Sequence, residues 1–196
     1  GDGHDLLEVG NAANLLKEID GSITFHGEGG SDTLKAYNQG DTAECGADPN
    51  IDWACGQMTA IGISGLEMGL ADNLAQAHIY YGTAAQNGSL QTTTETAHIY
   101  LGSGADKFFL DSAEDTAFYV HTGEGDDTVR VEATAFGLNP ASLRRVDFIA
   151  GYATIDGGTG TDFVIINDSG DDKVNSGQFQ NGYVSGLGIT GGISFG

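Results

Sequence analysis

Residues 77–137 contain one short pattern three times: AHIYYGT at 77–83, AHIYLGS at 97–103 and FYVHTGE at 118–124. Each copy is an alternating apolar run that stops at a glycine, and successive copies lie 20 and 21 residues apart. Alternation with a period of two residues is typical of a β-strand that buries one face. The regular spacing therefore predicts that these strands stack on one another.

A glycine-rich acidic turn follows the second and third copies. It has the form Gly-x-Gly-x-Asp at 102–106 and at 123–127, and each turn leads into another apolar run, 108–110 or 129–131. Glycine supplies the left-handed backbone conformations that tight turns need. A strand, a turn, a second strand and a second turn predict one coil of a parallel β-solenoid of about 20 residues. We therefore expect an all-β fold, a right-handed parallel β-helix or β-roll.

The composition is that of one folded domain with many turns. The chain has 196 residues, which allows a single domain with a sizeable core, and we interpret 1–196 as one solenoid. It contains 32 glycines but only 2 prolines, which argues against collagen and against proline-rich linkers. No apolar run reaches the roughly 18 residues of a transmembrane helix. Because motifs are cut at both ends, we interpret the chain as a fragment of a longer repetitive protein.

The charge of the chain is strongly negative, with 28 acidic and 7 basic residues and a net charge of −21. Seven cations cannot form the basic surface that nucleic acids or anionic membranes require, so we predict neither nucleic-acid binding nor membrane insertion. A compact fold with this excess repels itself unless salt or bound cations neutralise it. A solvated acidic surface and a set of bound cations are both consistent with this composition.

The turns themselves favour bound cations. In a parallel stack, successive turn aspartates would lie about 5 Å apart. Like charges at that distance are unfavourable unless a cation lies between them. Carbonyl and carboxylate oxygens without sulfur or organised histidine favour a hard cation, Ca²⁺ before Mg²⁺. The alternative is that these aspartates only cap their turns through Asx-type hydrogen bonds.

The turns resemble the haemolysin-type (RTX) calcium-binding repeat, Gly-Gly-x-Gly-x-Asp-x-apolar-x. The fullest match is GGTGTDFVI at 157–165, whereas 102–109 and 123–130 match in part and true tandem nonapeptides are absent. The resemblance implies that turn carbonyls and aspartates bind Ca²⁺ between the coils of a right-handed β-roll. The residues that take these roles by resemblance are Gly102, Gly104, Asp106, Gly123, Gly125, Asp127, Gly158, Gly160 and Asp162, together with Asp5 in the turn at 1–5 and Asp32 in a turn with one extra residue at 27–32.

A longer repeat overlies the first one. Residues 30–41 match 160–171, and GQ at 56–57 and SGL at 64–66 match the same letters at 177–178 and 185–187. This longer repeat resembles repeats of very large secreted bacterial surface proteins. The first copy carries extra residues between the two matching segments. We therefore predict a loop insertion at 42–55.

The insertion at 42–55 holds both cysteines of the chain, Cys45 and Cys55. Cysteines that bracket a loop can close it with a disulfide, which removes entropy from the open chain. Two free buried thiols and a weak metal pair are the alternatives. A disulfide would imply an oxidising compartment. We expect a disulfide-closed loop at 42–55 and a secreted or cell-surface protein.

The motifs of common enzymes are missing from the sequence, which has no nucleophile elbow, phosphate loop or Cys-His pairing. We therefore predict a protein that is not an enzyme. The repeats and the acidity predict an extracellular structural or adhesive module that is stabilised by Ca²⁺ and belongs to a surface filament or a long surface protein. Its open ends would pair with neighbouring copies. The alternative is a carbohydrate-active β-helix enzyme, such as a polysaccharide lyase or epimerase, or the calcium-binding module of one.

Two His-Ile-Tyr triplets, at 78–80 and 98–100, raise the question of a carbohydrate partner. Stacked imidazole and phenol rings would form a conceivable platform for sugars. We favour ordinary strand alternation, with the isoleucine inside and the polar ring edges outside. The histidines are not arranged at the spacing of a zinc site.

Overall fold

The computed structural model describes residues 1–43, 56–69, 77–84, 90–111, 116–132 and 144–196. All regular secondary structure in these ranges is β-strand, so the predicted all-β class is confirmed. Within the same ranges, no helix has the length and apolar character needed to cross a membrane. Cys45 and Cys55, and with them the predicted disulfide, lie outside the described residues.

The strands are short, as expected for a chain with so many glycine turns. In chain order they are β1 (Asp2–Gly3), β2 (Leu6–Val9), β3 (Ile23–Thr24), β4 (Gly29–Gly30), β5 (Thr33–Tyr37), β6 (Gly56–Thr59), β7 (Gly62–Ser64), β8 (His78–Tyr80), β9 (Gly82–Ala84), β10 (Leu90–Thr92), β11 (Thr96–Tyr100), β12 (Lys107–Leu110), β13 (Ala117–His121), β14 (Thr128–Val131), β15 (Tyr152–Asp156), β16 (Phe163–Ile166), β17 (Gly177–Gln180), β18 (Tyr183–Gly186) and β19 (Ile189–Phe195).

Two large sheets contain most of these strands. The eight-stranded sheet has the order β17-β18-β19-β15-β13-β11-β5-β2, and the seven-stranded sheet has the order β16-β14-β12-β6-β7-β8-β3. Pairing is parallel from β2 through β5, β11, β13 and β15 to β19, and also from β6 through β12 and β14 to β16. From β11 to β16, consecutive strands alternate between the two sheets. Each passage from one sheet to the other therefore requires a turn.

The inward faces of the two sheets form one hydrophobic core. In the eight-stranded sheet, Ile99 is paired in register with Val120 and Val120 with Ile155, and all three are buried. In the seven-stranded sheet, Phe108 lies beside Val129 in the same way. Alternation places every second side chain of a strand on the same face. In-register parallel pairing then aligns these side chains as rows, which is why the apolar pattern repeats along the chain.

The spacing of about 20 residues per coil is wrong for part of the chain. Thr96 of β11 pairs with Ala117 of β13, 21 residues later, but on its other side it pairs with Thr33 of β5, 63 residues earlier. The first copy of the pattern, β8, lies in the seven-stranded sheet and pairs antiparallel with β7. The chain after β8 enters an antiparallel pairing of β9 with β10. Alternation predicts which face of a strand is buried, but it does not specify the neighbouring strand.

Candidate metal centre

The three Gly-x-Gly-x-Asp turns at 102–106, 123–127 and 158–162 are stacked, as the sequence predicts. Glu124 donates its backbone N–H to the carbonyl of Gly102 at 3.3 Å. Thr159 donates to the carbonyl of Gly123, and Gly125 donates to the carbonyl of Thr159, each at 2.9 Å. These bonds place 123–127 between 102–106 on one side and 158–162 on the other. The turns connect the eight-stranded sheet to the seven-stranded sheet.

At two positions of the last turn, both the backbone conformation and the lack of space for a side chain require glycine. Gly158 and Gly160 have φ values of +72° and +138°, which non-glycine residues rarely adopt. A Cβ atom on Gly158 would overlap the carbonyl oxygen of Gly123, and one on Gly160 would overlap that of Gly125. The absence of side chains lets each turn approach the carbonyl oxygens of the previous one. The result is a layered set of backbone oxygens beside the aspartates.

Asp106, Asp127 and Asp162, the strongest candidates from the sequence, form one column. Asp106 donates its backbone N–H to Oδ1 of Asp127 at 2.8 Å. Asp127 donates to Oδ1 of Asp162 at 3.0 Å in the same way. The carboxylates of Asp127 and Asp162 thus accept hydrogen bonds from the equivalent residue of the preceding turn, whereas that of Asp106 accepts one from Gly102 N–H in its own turn. The column lies immediately before the strands of the seven-stranded sheet, β12, β14 and β16.

Asp5 and Asp32 belong to a second column, before the strands of the eight-stranded sheet. Asp5 donates its backbone N–H to Oδ1 of Asp32 at 2.7 Å. Asp32 donates in turn to Oε2 of Glu95 at 2.6 Å. Glu95 was not predicted, because no Gly-x-Gly motif precedes it. The signal that identifies it is position: like Asp5 and Asp32, it is the residue directly before a strand of this sheet.

One oxygen in each column is buried without a partner. Asp127 is 1% exposed and Asp32 is 0% exposed, and in each side chain Oδ2 accepts no hydrogen bond from the described part of the protein. Burying an ionised carboxylate oxygen without compensation costs several kcal/mol, so such groups are normally paired or bound to metal. The two unpaired oxygens are therefore the candidate positions for a bound cation. An Asx cap also uses only one carboxylate oxygen, so the feature that singles out these aspartates is the burial of the second oxygen.

The electrostatics of the first column show the same need for a positive charge. Burial, and then the charge of Asp127, raise the pKa of Asp106 to about 7. Burial raises the pKa of Asp127 as well, and the charges of Asp162 and Asp126 act in the same direction, whereas the backbone N–H of Asp106 and the nearby Thr122 hydroxyl lower it. Neighbouring carboxylates in a partly dry site resist ionisation together. A divalent cation would remove that repulsion and return the carboxylates to their charged form.

The residues present fit a hard cation, with most ligands taken from the backbone and from water. No three acidic, histidine or cysteine side chains converge on one point anywhere in the described ranges. Calcium accepts six to eight oxygen ligands, carbonyl oxygens and water among them. A cavity of about 300 Å³ borders the column and is lined in part by Asp127, Asp162 and Gly158. It provides room for coordinated water.

Comparison with known proteins gives no further identification, since the chain matches no protein-family model, no curated protein and no solved structure.

Proposed function

We propose that the chain is an extracellular structural or adhesive module, a right-handed parallel β-helix of the RTX-like kind whose coils are held together by Ca²⁺. The observation that carries this proposal is the buried, unpaired Oδ2 of Asp127 within a column of three aspartates. A structural role follows because the implied ions lie between turns and strengthen the stack. The carbohydrate-active enzyme remains the alternative prediction.

The arrangement of strands supports the β-helix. From β11 to β16 the chain passes alternately between the two large sheets, and each strand pairs in parallel with the next strand of its own sheet. A chain that winds as a helix of β-strands produces this pattern, because each coil adds one strand to each sheet. The right-handed sense is expected from the general preference for right-handed crossovers between parallel strands.

The net charge of −21 supports calcium as the resident ion. Carboxylates concentrated in two columns repel one another, and the repulsion is strongest where burial excludes water. Calcium outside cells is abundant enough to occupy sites with dissociation constants of about 10⁻⁴ to 10⁻³ M, the range typical of extracellular modules. The extracellular assignment also rests on the disulfide predicted between Cys45 and Cys55, which mass measurement before and after reduction would test.

Thermal unfolding in EDTA, in CaCl₂ and in MgCl₂ tests the proposal. Ionic strength should be matched with KCl, because any salt screens a chain of this charge. At a calcium concentration about 100 times the dissociation constant, each site should add about 2.7 kcal/mol. That corresponds to a rise in Tm of about 5–10 °C per site for a chain of this size. An equal Tm in calcium and in EDTA would exclude calcium stabilisation.

The proposed partner is a neighbouring copy or repeat of the same protein, docked at the end formed by β16 and β17. Among the described strands, each of these two is the last in its sheet, so one backbone edge of each has no described neighbour. Phe163 and Ile165 on β16 are 59% and 40% exposed, and Phe179 on β17 is 70% exposed. Open edges with apolar side chains favour pairing with another chain.

Sedimentation velocity over a range of protein concentrations tests this interface. Ile165→Lys should weaken self-association at least about tenfold, since it places a charge on the open edge. Val174→Lys is the matched control, because Val174 is fully exposed and lies outside the strands. A wild-type protein that stays monomeric, or a control that dissociates equally, would refute the proposed interface.

A further inference from the structure

Strands β11 and β13 carry four rings on the outward face of the eight-stranded sheet. The register pairs His98 with Tyr119 and Tyr100 with His121. His98 is stacked on Tyr119 with ring centroids 4.4 Å apart, and Tyr100 is stacked on His121 at 4.5 Å. Ile99, between His98 and Tyr100, is completely buried, as alternation predicts. The two histidines thus lie diagonally across the strand pair.

The two imidazoles face each other through their nitrogen atoms. His98 Nδ1 and His121 Nε2 are 3.5 Å apart. The ring planes differ by only 1°, and the ring centroids are 5.8 Å apart. Since the nitrogens are much closer than the centroids, the rings meet edge to edge, with in-plane nitrogens directed at one another. A single shared proton holds this contact in the absence of a metal.

The separation of the two nitrogens suits a shared metal ion. Imidazole nitrogens bind zinc-like ions at about 2.0–2.1 Å, so two such ligands lie about 3.3 Å apart in a tetrahedral site and about 4.1 Å apart in a linear one. The observed 3.5 Å lies between these values. Tyr100 and Tyr119 cover one face of each imidazole and restrict its rotation. The site is therefore largely formed before a metal arrives.

A carboxylate lies on the far side of His121. Asp156 Oδ2 is 3.5 Å from His121 Nδ1. Metal-binding histidines commonly donate their second ring N–H to a carboxylate, which fixes the tautomer and directs the free lone pair toward the metal. Here that lone pair would be on Nε2, which faces His98.

We propose that His98 and His121 form a binding site for a divalent late transition metal. Cu²⁺ should bind most tightly, and Asp156 is the carboxylate that positions His121. Imidazole suits copper, nickel and zinc, and Cu²⁺ is the most tightly bound of the divalent series. Water completes the coordination, because the described side chains supply no third ligand. The site is independent of the calcium columns, since hard Ca²⁺ prefers oxygen ligands.

The test is a titration of the calcium-saturated protein with CuSO₄ while the imidazole signals of its five histidines are followed by NMR. Paramagnetic Cu²⁺ should broaden the signals of His98 and His121 at substoichiometric amounts, before those of His78 or His4. Simultaneous broadening of all signals, or earlier broadening of His78 or His4, would overturn the proposal. This measurement uses the unaltered protein, so it does not depend on a variant that folds.

Variants give a second readout through the copper dissociation constant. His98→Gln and His121→Gln should each weaken binding at least about tenfold, and Asp156→Asn should weaken it by about tenfold. His78→Gln is the matched control, because His78 belongs to the same His-Ile-Tyr triplet and stacks on Tyr80 at 5.2 Å. Copper affinity that is unchanged in His98→Gln, or that falls equally in His78→Gln, would refute the site.

Discussion

Replacing Asp127 with asparagine should stabilise the protein without calcium and remove the stabilisation that calcium gives at this site. In EDTA the substitution removes a buried charge whose Oδ2 has no partner, while it keeps the Oδ1 acceptor for the backbone N–H of Asp106. The asparagine amide is still a buried polar group, but the desolvated charge and its repulsion with the neighbouring carboxylates are gone, so the free energy of unfolding should rise by about 1–3 kcal/mol. The corresponding increase in Tm is about 3–10 °C for a chain of this length.

In calcium the same substitution removes a carboxylate ligand. A site held at about 100 times its dissociation constant contributes about 2.7 kcal/mol, and most of this should be lost. The rise in Tm of about 5–10 °C that this site gives the wild-type protein in calcium should therefore be missing from the variant. The lost response to calcium is the informative result, because a purely structural role of Asp127 would leave that response unchanged.

Differential scanning calorimetry in EDTA and in CaCl₂ at matched ionic strength measures both effects. Asp126→Asn is the control: Asp126 lies in the same turn but is exposed, and its Oδ1 accepts a hydrogen bond from Thr161 N–H at 2.8 Å that asparagine can keep. We expect this control to shift stability by less than about 0.5 kcal/mol in either solution. If calcium raises the Tm of Asp127→Asn as much as it raises the Tm of the wild-type protein, the calcium site at this column is refuted.

Three further predictions concern pH, the turns and the core. Without calcium, the free energy of unfolding should fall as the pH rises from about 4 to about 7. The pKa of Asp106 in the folded state, about 7, lies above its ordinary value of 3.8. The folded state therefore holds the proton more tightly than the unfolded state in that pH window. Solvent screening of this partly buried carboxyl group limits the loss of stability to about 2 kcal/mol. Urea unfolding in EDTA between about pH 4 and about pH 7 measures this loss, and stability that rises with pH would contradict the raised pKa of Asp106. Gly160→Ala should lower the free energy of unfolding by at least about 2 kcal/mol, because the new Cβ atom would meet a backbone oxygen and the residue would have to keep a positive φ. Gly21→Ala is the control for this thermal unfolding measurement: Gly21 has open space around it, so the cost should be less than about 0.5 kcal/mol. Ile99→Ala should cost about 2–5 kcal/mol by urea unfolding because Ile99 is completely buried, and a cost below about 1 kcal/mol would mean that the core is assigned wrongly.

Much of the candidate site could be predicted from sequence because its signals are local. Gly158 and Gly160 adopt positive φ, and Asp106, Asp127 and Asp162 stack as the repeated turn implies. A residue that directly precedes a strand occupies the same place in every coil, so repetition in sequence becomes a column in space. Glu95 occupies the equivalent place in the other column, but it has no glycine motif to reveal it.

The order of neighbouring strands depends on contacts that the local pattern does not contain. The identical triplets at 78–80 and 98–100 occur in different sheets, because β8 pairs with β7 and β3 whereas β11 pairs with β5 and β13. Closing a longer loop costs only slightly more entropy than closing a short one, so sequence separation is a weak guide to pairing.

The sequence by itself determined the strands of the repeated pattern, the buried face of each and the glycine conformations of the turns at 123–127 and 158–162, since these depend on the steric and hydrophobic properties of adjacent residues. Only the tertiary structure decided which strands became neighbours, how the acidic residues divided into two columns, and that His98 meets His121 across β11 and β13. Those outcomes depend on how the whole core packs and on the register of paired strands, which are properties of distant parts of the chain acting together.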